Sequence, residues 1–257
     1  MQRKIPLEAV ENFRDFGGYA VAGGGALRRG FLYRSASHAR ATDGDLETIG
    51  ALGIGVVVDL RRLGEREREP SRRHSQFGGV VIHNDDDGRG DTWQEHIRTS
   101  DLSPEGFRRY LLEYYREAPF EPRHIDLYRR YFDALATADA PVLIHCAAGK
   151  DRTGLLAALT HRLAGVHADD ILADYMASLD PPRMAKRTAV VRQIILETTG
   201  RTASDEALMV AMGVAPDYLA EAFAAVEREA GGVSAYLEGT LGVTPARRAA
   251  VLERIVV

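Results

Sequence analysis

The sequence predicts an α/β protein: a central, mostly parallel sheet flanked by helices, with additional helices towards the C-terminus. Three observations carry this expectation. Apolar runs of strand length, rich in β-branched residues and bounded by Gly, Pro or charges, occur at 55–60, 80–83 and 141–145. Stretches with apolar residues recurring at three and four lie between and after them, the pattern of helices that bury one face. At 145–155 a strand-like run turns through a small Gly-containing loop straight into a helical pattern, the connection typical of strands alternating with helices.

Taken in order, residues 1–50 are punctuated by turns at Gly17-Gly18 and Gly23-Gly24-Gly25, with a strand expected at 31–34 and a helix at 44–52. The runs at 55–60, 80–83 and 141–145 are read as three buried, parallel strands. Between the first two, residues 61–73 mix six Arg with three Glu around Pro70 and are read as a solvated helix end or loop. Phe107, Tyr110, Leu111 and Tyr114, then Ile125, Tyr128, Phe132 and Leu135, predict packing helices within 104–138. Further helices are expected at 155–163, 168–176, 183–196, 205–212, 216–230, 233–237 and 245–255. The chain is read as one domain over 1–257 with a helical insertion around 101–138.

Composition narrows the function. With 257 residues, 33 Lys plus Arg against 37 Asp plus Glu and 45% hydrophobic residues, the chain is an ordinary globular one of net charge -4, without the basic field that gathers nucleic acid. No stretch of about 18 uninterrupted apolar residues occurs, so no stable membrane insertion is expected. The N-terminus has no apolar run of signal-peptide length, which gives a cytoplasmic expectation with export lacking a cleavable signal left open. One cysteine, Cys146, excludes an intramolecular disulfide and a thiolate-rich zinc site.

That cysteine stands in His145-Cys146-Ala147-Ala148-Gly149-Lys150-Asp151-Arg152-Thr153-Gly154, at the end of a predicted strand and just before a helix. Such a loop can turn successive backbone N–H groups inward as an anion nest, with the positive end of the helix aimed at the same point. The thiolate is the nucleophilic form of cysteine, and nest, helix dipole and Arg152 all favour it. Six positions on, Arg152 can fold back so that its planar fork grips two oxygens of a phosphoryl group. Lys150 is expected as a second cation at the rim, and Thr153 as a helix cap or a hydrogen-bond donor to sulfur. The chemistry suited to these parts is in-line attack by Cys146 on a phosphate monoester, giving a phosphocysteine that water cleaves. No metal or other cofactor is needed, because Arg152 and the N–H groups take the developing charge. A poor leaving oxygen still needs an acid within reach.

This loop resembles the Cys-x5-Arg signature of protein tyrosine phosphatases, and more narrowly that of bacterial tyrosine/serine and phosphoinositide phosphatases. The likeness extends to Asn12-Phe13-Arg14-Asp15-Phe16-Gly17-Gly18-Tyr19, Leu32-Tyr33-Arg34-Ser35-Ala36, Val58-Asp59-Leu60-Arg61 and Ala173-Asp174-Tyr175, and so to almost the whole chain. The resemblance implies a phosphatase-like fold with additional helices, a pair of which could form a lid. It also implies a phosphorylated protein or a phosphoinositide as substrate, Cys146 as nucleophile and Arg152 as phosphate clamp, with His145, Ala147, Ala148, Gly149, Lys150 and Thr153 around the phosphate. For the acid, Asp151 inside the loop is favoured on spacing and reach. Asp87, in the run Asp85-Asp86-Asp87 after a predicted strand, is the alternative, since the chain has no Trp-Pro-Asp loop and its one tryptophan is Trp93.

Rival readings are weaker. Gly149-Lys150 fails the nucleotide-loop pattern, having Ile144 where the first Gly belongs and Asp151 after the Lys. His145, Cys146, His161 and His167 match no common zinc spacing. Asp59 with Arg61 is read as an ion pair stabilising the loop, Arg14 and Asp15 as architectural, and His145 as orienting the loop through hydrogen bonds. The alternative from another class is a catalytically silent phosphate- or phosphoinositide-binding module; a thiol redox sensor lacks a resolving cysteine.

Overall fold

The computed structural model describes residues 3–86 and 92–257. Its sheet has the order β1-β2-β5-β3-β4, from β1 (Arg14–Asp15), β2 (Leu32–Ser35), β3 (Val56–Asp59), β4 (Val80–Ile82) and β5 (Val142–His145). β2, β5, β3 and β4 run parallel, and β1 alone is antiparallel, on β2. The register sets Ser35 and Asp59 on either side of His145, so three strand ends lie level at the carboxyl edge of the sheet. Ligands of open parallel sheets sit beyond that edge.

Side-chain alternation sends Val58 and Ile144 to one face and Val57 and Leu143 to the other. The first face is covered by α5 (Pro122–Thr137) and α6 (Asp151–Ala164), whose Leu127, Tyr128, Phe132, Leu156 and Leu159 are fully buried in the main core. Each such side chain contributes roughly 1.5–3 kcal/mol through the apolar surface it removes from water. The second face packs on α1 (Asp43–Gly50), whose start is fixed by a capping box between Thr42 and Asp45. The Asp45 carboxylate also accepts the N–H groups of Glu8, Ala9 and Val10, tying the N-terminal segment to the helix.

α3 (Thr92–Thr99), α4 (Pro104–Glu117), α8 (Pro181–Thr199) and α9 (Asp205–Met212) enclose a separate core around Ile97, Phe107, Val191, Ile195 and Leu208. α7 (Ala168–Met176) joins α6 to α8, and α10 (Pro216–Ala230), α11 (Val233–Ala235) and α12 (Pro245–Ile255) close the chain. Among the described residues no single helix is long and apolar enough to cross a membrane.

The structure departs from expectation in four places. β4 is an edge strand with Val80 60% exposed, so only β3 and β5 of the three apolar runs are buried along their length. The Arg/Glu run holds α2 (Leu63–Arg68) and is not simply solvated: Arg61 is 2% exposed because it meets the buried Asp59 carboxylate, while Arg62 and Glu65 face other charges. The helical stretch at 104–138 breaks at Ala118–Phe120, where Pro119 and Pro122 remove backbone donors and restart the chain as α5. α3 and the two-residue β1 were not foreseen.

Candidate active site

Residues 146–150 connect β5 to α6, whose first helical residue is Asp151. Cys146 is 2% exposed at the head of the central strand. The carbonyls of Ala147, Ala148 and Gly149 are held from outside. Ala147 O accepts from the Ser37 N–H at 3.2 Å and from Arg187. Ala148 O accepts from Arg183 Nη2 at 2.9 Å, and Gly149 O from Asn12 Nδ2 at 2.8 Å and Arg34 Nη2 at 3.0 Å. Among the described residues, no backbone acceptor meets the N–H groups of residues 147–150. Carbonyls pinned outward and N–H groups left over make an anion nest, completed by the unpaired donors of the first turn of α6.

Gly149 makes this path possible. Its φ is +64°, and a Cβ there would lie 2.4 Å from the carbonyl carbon and oxygen of Ser35. The loop therefore rests directly on the end of β2. Arg34, fully buried, shares Asp174 with Arg14, at 2.5 Å and 3.0 Å. Burial works against the Asp174 carboxylate, yet the two guanidinium groups hold its pKa below the usual range. The flanking motifs noted in the sequence thus converge: Asn12, Arg14, Arg34 and Asp174 form one buried bracket behind the loop.

The Arg152 side chain is fixed by acceptors on α2 and after β3. Nη1 donates to Leu60 O at 3.1 Å and to Glu65 Oε2 at 2.5 Å, and Nη2 donates to Glu65 Oε1 at 2.8 Å. Although burial raises the Glu65 pKa, the charge and hydrogen bonds of Arg152 bring it down to about 2. A guanidinium has five N–H groups, and these three bonds leave Nε–H and one Nη2–H, which lie side by side on one edge. That edge can receive two oxygens of a tetrahedral anion.

Other candidates are placed differently from expectation. Lys150 is not at the rim: it is 4% exposed and its ammonium donates to Ala211 O of α9 at 3.0 Å, with Asp151 Oδ2 at 3.5 Å. Burial lowers its pKa, against the pull of Asp151. Thr153 caps nothing; it lies inside the first turn, fully buried, its hydroxyl without a hydrogen-bond partner. The His145 ring has no hydrogen bond of ordinary geometry, though the adjoining Cys146 backbone acts on it. It stacks on His38 with centroids 5.1 Å apart and lies 3.6 Å from Asp59. Burial pushes the His145 pKa down to about 4, more than Asp59 raises it, so the ring is neutral at pH 7. Ala147 and Ala148 contribute backbone only.

Asp151 opens α6 with its carboxylate turned to α4, where Tyr115 Oη donates to Oδ1 at 2.8 Å and is itself the acceptor of Tyr175 Oη at 2.7 Å. Tyr115 falls in a stretch read as packing helix, Tyr175 in the Ala173-Asp174-Tyr175 likeness, and Glu65 in a charge run read as solvated. The signal for each was its spacing to a charged loop residue in three dimensions, which periodicity does not carry. Of the other acidic candidates, Asp85 is exposed and engaged by Arg66 and His83, and Asp87 lies outside the described residues.

The chain is similar to known proteins along most of its length. A model of the tyrosine phosphatase family matches residues 5–257. A Cupriavidus necator protein named as a tyrosine-protein phosphatase is 32% identical over 247 residues, covering 95% of this chain and 86% of that protein. The triple specificity protein phosphatase PtpB of Mycobacterium tuberculosis is 31% identical over 264 residues, covering 90% of this chain and 91% of its own. Among solved structures, TpbA of P. aeruginosa aligns with 71% of this chain and 86% of its own at 21% identity, with a TM-score of 0.31.

Proposed function

The chain belongs to the tyrosine phosphatase family and is an enzyme of the protein-tyrosine-phosphatase type; from that premise we propose that it hydrolyses phosphotyrosine through a phosphocysteine on Cys146. The observation that carries this reading is the set of outward-pinned carbonyls at Ala147, Ala148 and Gly149, which leaves the N–H groups of the loop for the oxygens of a phosphoryl group.

In the first step the Cys146 thiolate forms an S–P bond as the P–O bond to the leaving group breaks, in line. Asp151, in its carboxyl form, gives its proton to the departing oxygen. The nest and the free edge of Arg152 meet charge on the transferring oxygens, and the Thr153 hydroxyl is available to the sulfur. In the second step water attacks phosphorus, the S–P bond breaks, inorganic phosphate leaves, and the Asp151 carboxylate recovers a proton from the attacking water. Glu65 and the Asn12, Arg34 and Asp174 bracket position these groups without touching substrate.

Substrate preference follows from how Lys150 is held. Lys150 is committed to Ala211 and Asp151, so it does not offer the second cation that an inositol polyphosphate would use. An aryl phosphate, with one dianion and a flat apolar leaving group, is the better match. Given the name of the mycobacterial relative, phosphoserine and phosphothreonine peptides and phosphoinositides belong in the test as competing substrates. Phosphate release from these substrates is to be measured for wild type and Cys146→Ser, with a chelator present. Release led by phosphotyrosine, lost in Cys146→Ser and indifferent to chelator, is expected. Turnover persisting in Cys146→Ser would sink the nucleophile assignment, and binding of phosphate without release from any substrate would make the chain a silent binding module.

A further inference from the structure

On the face of the sheet opposite α5 and α6, between α1, β3 and the segment at 71–79, lies a cavity of about 500 Å³. That is the size of clefts that enclose small organic ligands. Its apolar wall comes from Leu46, Ile49, Ile54, Val57, Phe77 and Leu143. Its inner end is His38, whose ring bonds to Ser35 Oγ at 2.9 Å and stacks on His145 beneath the catalytic loop.

The cavity holds one cation with no ion-pair partner of its own, since the Asp59 carboxylate that acts on it from a distance is bonded to Arg61. Arg73 lines it half-buried, with its Cζ 5.6 Å from the centroid of the Phe77 ring, and among the described residues it forms no ion pair. Every other buried arginine near the site is matched: Arg61 by Asp59, Arg34 and Arg14 by Asp174, Arg152 by Glu65. A guanidinium partly removed from water and left unmatched favours an incoming anion. The charge wanted is single. Glu47 stands at the mouth with Oε2 3.4 Å from His74 Nε2, and its carboxylate disfavours a second negative charge on the same ligand.

We propose that this cavity binds a small amphipathic monocarboxylate, with its apolar body along Leu46, Ile49, Val57 and Phe77 and its carboxylate on Arg73. The site is separate from the phosphoryl site, reached from the other face of the sheet, and does not depend on the catalytic reading.

Octanoate and its neutral counterpart 1-octanol are suitable probes, titrated calorimetrically into wild type, Arg73→Gln and Ile49→Trp. Octanoate should bind wild type about tenfold more tightly than octanol, the lower range for a charge-assisted hydrogen bond at a half-exposed site. Arg73→Gln should bring octanoate to the level of octanol and leave octanol unchanged, and Ile49→Trp, which fills the cavity, should abolish both. Octanoate should still bind with orthovanadate saturating the catalytic loop. The proposal is overturned if octanoate shows no saturable binding, if Arg73→Gln leaves its affinity within twofold, or if orthovanadate displaces it.

Discussion

Glu65 meets Arg152 end-on, Oε2 to Nη1 at 2.5 Å and Oε1 to Nη2 at 2.8 Å, joining α2 to the first turn of α6. Both side chains are mostly buried, and the pair consumes the end of the guanidinium while leaving its side edge for phosphate. Arg152 is thus aimed before any substrate arrives, which lowers the ordering cost of binding and the reorganisation needed in the transition state.

Removing the carboxylate should therefore cost rate more than affinity. For Glu65→Ala we expect kcat on an aryl phosphate to fall about 10–100-fold with a smaller change in KM, while Arg152→Lys, which lacks the fork, should lose about 100–1000-fold or more. Steady-state kinetics on both variants checks this. A Glu65→Ala enzyme within twofold of wild type in kcat would show that the pair is only structural.

The acid assignment separates by leaving group. Loss of a proton donor hurts an alkyl phosphate more than a nitrophenyl phosphate, whose phenolate departs unaided. Asp151→Asn should reduce alkyl turnover at least about tenfold more than nitrophenyl turnover. Tyr115→Phe, which removes the hydrogen bond to Asp151 Oδ1, should change the same ratio in a milder way. If Asp87→Asn and not Asp151→Asn shows the leaving-group dependence, the donor is Asp87.

Two glycines with the same φ separate strain from crowding. Gly53 and Gly149 both have φ of +64°, but a Cβ at Gly53 meets nothing within 4 Å while one at Gly149 strikes the Ser35 backbone at 2.4 Å. Gly53→Ala should cost about 1–2 kcal/mol, the left-handed penalty alone. Gly149→Ala should cost about 3 kcal/mol or more and abolish activity, because backbone cannot move aside as a side-chain tip can. Urea unfolding of the two variants decides it, and equal losses would refute the close approach.

Much of this was legible in the sequence, and the parts that were not share a physical reason. The 55–60 and 141–145 runs marked β3 and β5 because strands buried on both faces must be apolar throughout. Helices α7, α9, α10 and α12 matched their predicted spans to the residue, where Pro, Gly or capping side chains fix the ends. Cys146 and Arg152 were legible because the loop is contiguous. Glu65 and Tyr115 were not, since each reaches the loop from another helix, 87 and 36 residues away. Lys150 was misplaced for a related reason: sequence gives its charge and spacing, but its direction is set by the Ala211 carbonyl at the end of α9.

Buried histidines set the acid limit of the fold. Burial, the largest influence on each, lowers His145 and His124 to about 4, and drives His38 well below its ordinary value. Unfolded, each would titrate near 6.5, so between about 6.5 and 4 the unfolded chain binds more protons than the folded one. Stability then rises with pH across that window and is lost as pH falls through it, by up to about 1.4 kcal/mol per pH unit for each histidine. The depressed carboxylates act lower. Glu65, at about 2, contributes stability that is complete above about 4.5 and fades only below it. Unfolding free energy from urea titrations should therefore already drop between pH 6.5 and 5, before carboxylates titrate, and His124→Asn should flatten that drop. A profile level from pH 7 to 5 would mean that the three rings are not held neutral by burial.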